Sequence, residues 1–113
     1  MQDWEAAAQA AVGKKADDVI ILNIGEVSTL TGHFVLATGS NNRQTQAIAN
    51  AVRSDLRDLG IRPLGVEGMQ QGHWILMDYG SFLVHIFSKD KRGFYDLDRL
   101  WNNAPRTLVS EAA

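Results

Sequence analysis

Two apolar segments that flank Gly80-Ser81 constrain this chain more than any other feature. The segments run over 73–79 and 82–87, and a glycine followed by a serine suits a two-residue hairpin turn. With that turn, the facing pairs are Tyr79 with Phe82, Met77 with Val84, and Ile75 with Ile86. Side chains alternate between the two faces of a strand, so these six residues share one face. Because that face is almost wholly apolar, we expect it to pack against the core.

The opposite face of the same hairpin has a different composition. It carries Trp74, Leu76, Asp78, Leu83, His85 and Phe87, which we call the outer hairpin face. A carboxylate and an imidazole among large apolar groups are not typical of a second core. We therefore interpret the outer hairpin face as a surface kept partly apolar for a protein partner. On it, we expect Trp74 and Phe87 to be anchors. Asp78 would pair with a basic group of the partner, and His85 would make a hydrogen bond.

Two tyrosines next to this face are further candidates for partner binding. Alternation directs Tyr79 inward, but its place at a strand end beside Gly80 allows its hydroxyl to be exposed. Tyr95 follows a charged turn at 89–93, and it either extends the surface or belongs to the core. The alternative for the whole face is that the closing helix or the N-terminal helix covers it.

The remaining patterns predict an α/β fold in which helices pack on a mixed sheet, in two or three layers. Apolar runs at 19–24 and 33–38 are typical of strands, a short strand is expected around 64–67, and 3–13 is typical of a helix. Ile48, Val52 and Leu56 recur at helical spacing between caps at 40–42 and Gly60. A short helix over 96–102 would bury Leu97, Leu100 and Trp101. We expect one domain over 1–105 and a loose tail over 106–113.

Composition excludes several classes of function. The formal charge is −2, from 11 basic and 13 acidic residues, which argues against a protein that binds DNA or RNA mainly by neutralising phosphates. No apolar run approaches the ~20 residues of a membrane span. The N-terminus shows no basic stretch followed by an apolar one, so we predict no export signal. There is no cysteine, which fits a cytoplasmic protein and excludes cysteine-ligated zinc.

Two short motifs raise enzymatic alternatives. Thr38-Gly39-Ser40 before a helix is similar to a phosphate-binding turn, but the glycines and lysine of a P-loop are missing. Asp96 and Asp98 form the Asp-x-Asp pair that holds metal in nucleotidyltransferases. On a helix, however, carboxylates two residues apart diverge by ~200°. The three histidines show no ligand spacing. We therefore predict no enzyme activity, no cofactor and no metal, and keep an active nucleotidyltransferase as the alternative.

Several local patterns occur in the order found in one known family. They include 16–18, 34–40, Arg43 with 47–49, 66–68, 74–80, 84–87 and the closing Phe94-Tyr95-Asp96-Leu97-Asp98-Arg99-Leu100-Trp101. Over residues 4–102 the chain resembles the ribosomal silencing factor (Iojap) family. The resemblance implies a nucleotidyltransferase-like core without catalytic residues.

The resemblance also implies a function. Such factors bind a protein on the intersubunit face of the large ribosomal subunit, large-subunit protein fourteen, and block joining of the small subunit, which represses translation. Related organelle proteins act in ribosome biogenesis, which is an alternative for this chain. A direct RNA-binding module is a further alternative. The partly apolar outer hairpin face also allows a homodimer when no ribosome is available.

Overall fold

The computed structural model describes residues 1–110, and these form one mixed sheet with helices on both faces. The helices are α1 (Asp3–Gly13), α2 (Asn42–Asp58), α3 (Lys89–Tyr95) and α4 (Leu97–Leu100), with one 3-10 turn at Ile24–Glu26. The strands are β1 (Asp17–Leu22), β2 (His33–Gly39), β3 (Gly65–Glu67), β4 (Trp74–Asp78), β5 (Phe82–Ser88) and β6 (Arg106–Val109). Within 1–110, no helix is long and apolar enough to cross a membrane. The predicted α/β class, a mixed sheet with helices packed on it, is confirmed.

The six strands lie in the order β3-β4-β5-β2-β1-β6. Only β2 and β5 run parallel, because α2 lies between them in sequence and allows the chain to cross over. The hairpin β4–β5 has the predicted register, with Ile75 opposite Ile86 and Met77 opposite Val84. Gly80 has φ +82° in the turn, a conformation that L side chains rarely adopt. The turn residues therefore determine which side chains reach each face of the sheet.

One face of the sheet packs against α1 and α2. The inward residues of the hairpin, including Tyr79 and Phe82, belong to this core, as predicted. Alanines at 7, 8 and 11 are completely buried, and their small side chains let α1 approach its neighbours closely. Helix α2 is capped by Asn41, whose side chain accepts a hydrogen bond from the Gln44 amide, and it buries Ile48, Val52 and Leu56.

The other face of the sheet also has a buried core, which the sequence did not predict. It contains Ile20, Leu22, Ile24, Phe34, Leu36, Phe87, Leu97 and Ala104. Trp74, Leu83 and Trp101 pack at its margin and are partly buried. A charge and a histidine in the strand pattern therefore do not exclude a core on this side.

The segment that covers the second core differs from the prediction. Residues 89–93, predicted as a charged turn, form most of α3. The helix predicted over 96–102 is only α4, because Asp96 adopts the left-handed conformation at φ +50° and separates the two helices. Leu97 is buried as expected, whereas Leu100 is 68% exposed and does not join the core.

The prediction of a loose tail from residue 106 is wrong for its first four residues. Arg106–Val109 form β6, which pairs antiparallel with β1 through Ile21 opposite Thr107 and Val19 opposite Val109. The N–H and C=O groups along the outer edge of β1 would otherwise lack strand partners, and pairing satisfies them. The sheet therefore extends beyond the predicted domain limit at 105. Residues 111–113 of the predicted tail lie outside the described residues.

Candidate functional site

The outer hairpin face is built by the alternation of β4 and β5. Trp74 lies opposite Phe87, Leu76 opposite His85, and Asp78 opposite Leu83. Trp74, Leu76, Asp78 and Leu83 are partly exposed, so these four predicted site residues reach the surface. The carboxylate of Asp78 accepts a hydrogen bond from the Gly80 amide at 2.8 Å, which holds it at the hairpin tip.

Three of the predicted partner-binding residues are not accessible. Phe87 is completely buried, His85 is 5% exposed and Tyr79 is 9% exposed. Phe87 is covered by Tyr95 of α3 and packs in one cluster with Leu97 of α4, as the alternative interpretation allowed, whereas His85 packs among Trp74, Phe34 and Phe87. Tyr79 points to the α2 side and stacks on Phe82, with ring centroids 4.9 Å apart. The prediction that Phe87 is an interface anchor is therefore wrong. Of the two positions that the sequence allowed for Tyr79, the structure has the inward one, with a buried hydroxyl.

Tyr95 connects the hairpin to α3. Its ring centroid lies 4.5 Å from that of Trp74 and 5.9 Å from that of Phe87, so it covers Phe87 and extends the surface beside Trp74. Tyr95 is 42% exposed and Phe94 is 76% exposed, and their rings meet edge to face. We call the contiguous set Trp74, Leu76, Asp78, Leu83, Phe94 and Tyr95 the docking surface.

His85 supports the docking surface from below. Its Nδ1 accepts a hydrogen bond from the indole N–H of Trp74 at 3.1 Å. An indole N–H only donates, so Nδ1 carries no proton and the neutral ring has its proton on Nε2. Burial lowers the pKa of His85 to about 4, so the ring is neutral at physiological pH. Within the described residues, Nε2 has no hydrogen-bond partner. The predicted role of His85 as a direct partner contact therefore changes to orientation of Trp74.

Arg92 attaches α3 to the sheet, and no pattern in the sequence indicated it. Its guanidinium makes a two-point ion pair with Asp98, at 2.9 and 3.0 Å. The same group donates to the Asp18 carbonyl at 3.0 Å and to the Thr38 hydroxyl at 2.7 Å. Arg92 is 9% exposed, and its hydrogen bonds and, to a smaller extent, its charge lower the pKa of Asp98 below the ordinary value. These contacts hold α3 in the position that presents Phe94 and Tyr95.

The Arg92 contacts also occupy the region where an α/β enzyme would bind a ligand. In such sheets ligands bind at the carboxyl ends of parallel strands, here Gly39 and Ser88. The Thr38 hydroxyl accepts from Arg92, and the amide and hydroxyl of Ser40 both donate to the side chain of Gln44. Each of these polar groups therefore has a partner within the protein.

The two acidic residues of the Asp-x-Asp pair point to different cations. Asp98 binds Arg92, whereas Asp96 pairs with Arg99 at 3.2 Å. Among residues 1–110, no group of three or more His, Asp or Glu side chains has the arrangement of a metal site. Asp96 and Asp98 therefore do not supply a pair of free carboxylates for a shared metal.

The structure is that of a small α/β protein with a partly exposed aromatic and aliphatic surface on one face of its sheet. The family model described as "Ribosomal silencing factor during starvation" matches residues 1–113. The chain belongs to this family, the RsfS family.

Individual relatives agree with the family model. The ribosomal silencing factor RsfS of Halalkalibacterium halodurans is 37% identical over 101 residues, which are 89% of this chain and 86% of that protein. The Bacillus subtilis protein of the same name is 35% identical over 99 residues, or 88% and 84% of the two chains. The chloroplastic protein Iojap of Zea mays is 31% identical over 97 residues, covering 86% of this chain and 42% of that protein.

Solved structures have the same fold. A Chromobacterium violaceum protein is similar with a TM-score of 0.86 at 32% identity, covering 100% of this chain and 97% of that one. A Bacillus halodurans protein has a TM-score of 0.80 at 34% identity, covering 93% and 95% of the two chains. A nucleotidyltransferase-like core, the finer part of the fold prediction, stays a prediction.

Proposed function

We propose that this protein represses translation by binding the large ribosomal subunit through its docking surface and preventing the small subunit from joining. The observation that carries the proposal is the partly exposed row Trp74, Leu76 and Leu83, bordered by Tyr95 and by a carboxylate at Asp78. Large aromatic side chains with a charged neighbour are the groups that dominate binding energy at protein interfaces. The similar proteins named ribosomal silencing factors support the ribosome as the partner.

The proposed direct partner is large-subunit protein fourteen, on the intersubunit face. The net charge of −2 favours a protein component over RNA as the main landing site. A rigid domain bound on that face occupies volume that the small subunit needs, so repression requires no chemistry. The protein would act in the cytoplasm, without a cofactor, a metal or an enzymatic step. A role in ribosome biogenesis would use the same surface on an immature subunit.

A pull-down with purified large-subunit protein fourteen tests the contact directly. We expect the wild type to bind, and Trp74→Ala with Asp78→Ala to reduce binding at least about 100-fold, since central aromatic and charged contacts each contribute ~2 kcal/mol or more. Leu30→Ala is the matched control, because Leu30 is 62% exposed and lies outside the docking surface. Equal binding by the wild type and the double variant would exclude this surface.

We further propose that the docking surface pairs two copies of the chain when no ribosome is available. An exposed aromatic patch favours self-association, and a two-fold dimer would use the same residues on both copies. Sedimentation of the wild type and of Trp74→Ala measures this. We expect a dimer that the substitution converts to a monomer, and a monomeric wild type would contradict the proposal.

A further inference from the structure

Three arginines meet at the end of α2, outside the docking surface. Arg53 and Arg57 come from the helix, and Arg62 comes from the loop that follows. Together with Ile61 and Pro63 they line a pocket of about 410 Å³. Its lining contains no acidic side chain, so the pocket is a concentrated positive site on a protein whose formal charge is −2.

The geometry of α2 places its two arginines on a different side from its nearby aspartates. At 100° per residue, Arg53 and Arg57 project within about 40° of each other. The aspartates at 55 and 58 project at least about 100° away from both arginines. Gln46 shares the arginine side of α2, and its amide donates to the Met69 and Gln70 carbonyls in the loop that leads to β4. The arginines therefore lie on the side of α2 that faces β3 and β4.

The guanidinium groups of these arginines have no ionic partner among the described residues. Across residues 1–110, neither a hydrogen bond nor an ion pair involves the side chain of Arg53, Arg57 or Arg62. Like charges four residues apart on a helix repel each other, which destabilises the helix slightly. A bound anion would remove that repulsion and use the unpaired guanidinium groups.

The pocket lies at the edge of the sheet, next to the hairpin tip. Burial raises the pKa of Tyr79, and the nearby charge of Arg53 lowers it to a smaller extent. The Tyr79 hydroxyl is buried without a hydrogen-bond partner in the described chain, and Tyr79 directly follows Asp78 of the docking surface. On the other side, the amide of Leu64, which follows Pro63, donates to the Asp78 carbonyl at 2.7 Å. The side chains of Asp78 and Tyr79 point to opposite faces, so the pocket and the docking surface lie on opposite faces of the sheet and are connected at its edge by residues 62–64.

We infer that Arg53, Arg57 and Arg62 bind a phosphodiester group of ribosomal RNA when the docking surface is on the large subunit. The inference rests on the proposed function. Planar guanidinium groups bind phosphate oxygens through paired, charge-assisted hydrogen bonds. Because the formal charge of the chain is −2, apolar contacts supply most of the affinity, and the RNA contact at this pocket fixes the orientation of the docked protein. The RNA is recognised by its backbone and not by its sequence.

The test is the salt dependence of binding to purified large subunits between 50 and 200 mM KCl. The variant Arg53→Gln/Arg57→Gln/Arg62→Gln is compared with Lys14→Gln/Arg43→Gln/Lys89→Gln, which removes three exposed cations elsewhere. Each lost phosphate contact lowers the slope of log Kd against log salt by about 1. We expect the pocket variant to lose about 1 or more in slope, and the control variant to keep the wild-type slope.

The outcomes separate this inference from the proposed function. Binding with equal slopes in both variants overturns the arginine inference and leaves the docking proposal intact. If the wild type binds no large subunits at any salt concentration, the proposed function fails and the inference fails with it. A thermal shift with pyrophosphate, lost in the pocket variant while the slopes stay equal, would assign the pocket to a small phosphate compound and also overturn the RNA assignment.

Discussion

The indole N–H of Trp74 donates to Nδ1 of His85 at 3.1 Å, so a buried imidazole fixes the orientation of the central aromatic group of the docking surface. The acceptor lies on the neighbouring strand, directly across from Leu76. Strand pairing therefore sets the position of Trp74, and the hydrogen bond sets its rotation. A preoriented aromatic side chain loses less conformational entropy when a partner binds.

His85 should make the stability of the fold depend on pH. Its folded pKa of about 4 lies below the ordinary value of 6.5, so the unfolded chain binds the proton more tightly. This contribution is complete above pH 6.5 and is lost as the pH falls toward 4. Between pH 7.5 and 4.5, the wild type should lose about 2–3 kcal/mol more unfolding free energy than His85→Gln, measured by urea denaturation. The same loss in both proteins would contradict a buried neutral His85.

Substitution of Phe87 should mainly lower stability, whereas substitution of Trp74 should mainly weaken partner binding. Phe87→Ala creates a cavity in the second core and should cost about 3–5 kcal/mol of unfolding free energy. Trp74 is partly exposed, so Trp74→Ala should cost less stability but should abolish partner binding. Denaturation and binding assays on both variants measure this. Phe87→Leu serves as the control, because it keeps most of the side-chain volume. Full stability of Phe87→Ala would contradict the described second core.

The ion pair between Arg92 and Asp98 should stabilise α3 and the surface that it presents. Asp98→Asn leaves the buried guanidinium without its charged partner and should cost about 3 kcal/mol. Because the pKa of Asp98 is lowered in the folded protein, this stabilisation is present above the unfolded pKa and is lost as pH falls through the folded one. Denaturation at pH 7 measures the cost. Asp96→Asn is the control, since its ion pair with Arg99 is largely exposed and should contribute under about 1 kcal/mol.

Strand β6 should be required for a stable sheet edge. A chain shortened to end at Pro105 exposes β1, including Val19 and Ile21, and should aggregate or unfold more readily than the full chain. Light scattering and thermal denaturation measure both effects. Leu108→Ala should change stability by less than about 0.5 kcal/mol, because Leu108 is 75% exposed. Equal behaviour of the shortened and full chains would show that β6 contributes nothing.

The sequence predicted the hairpin correctly because its register depends on a local signal, Gly80-Ser81 between alternating residues. It did not predict the burial of Phe87 and His85, since that depends on where the following segment folds. The charges of residues 89–93 predict a solvated segment. The side chain of Arg92 nevertheless points inward and contacts Asp98, Asp18 and Thr38. No spacing rule identifies that contact, because its partners are up to 74 residues away.

Strand β6 was missed for a different reason. Thr107 and Val109 are β-branched, which favours a strand, but four residues after a proline give a weak signal. What stabilises β6 is the open edge of β1, a feature of the assembled sheet and not of the local sequence.

Subunit joining measured by sucrose-gradient sedimentation tests the central claim most directly. Purified subunits are mixed after the protein is added, and the wild type is compared with Trp74→Ala/Asp78→Ala and with Leu30→Ala. We predict that the wild type and Leu30→Ala migrate with the large subunit and deplete joined ribosomes, while the double variant does neither. Normal joining in the presence of the wild-type protein, with the protein remaining at the top of the gradient, would contradict the account.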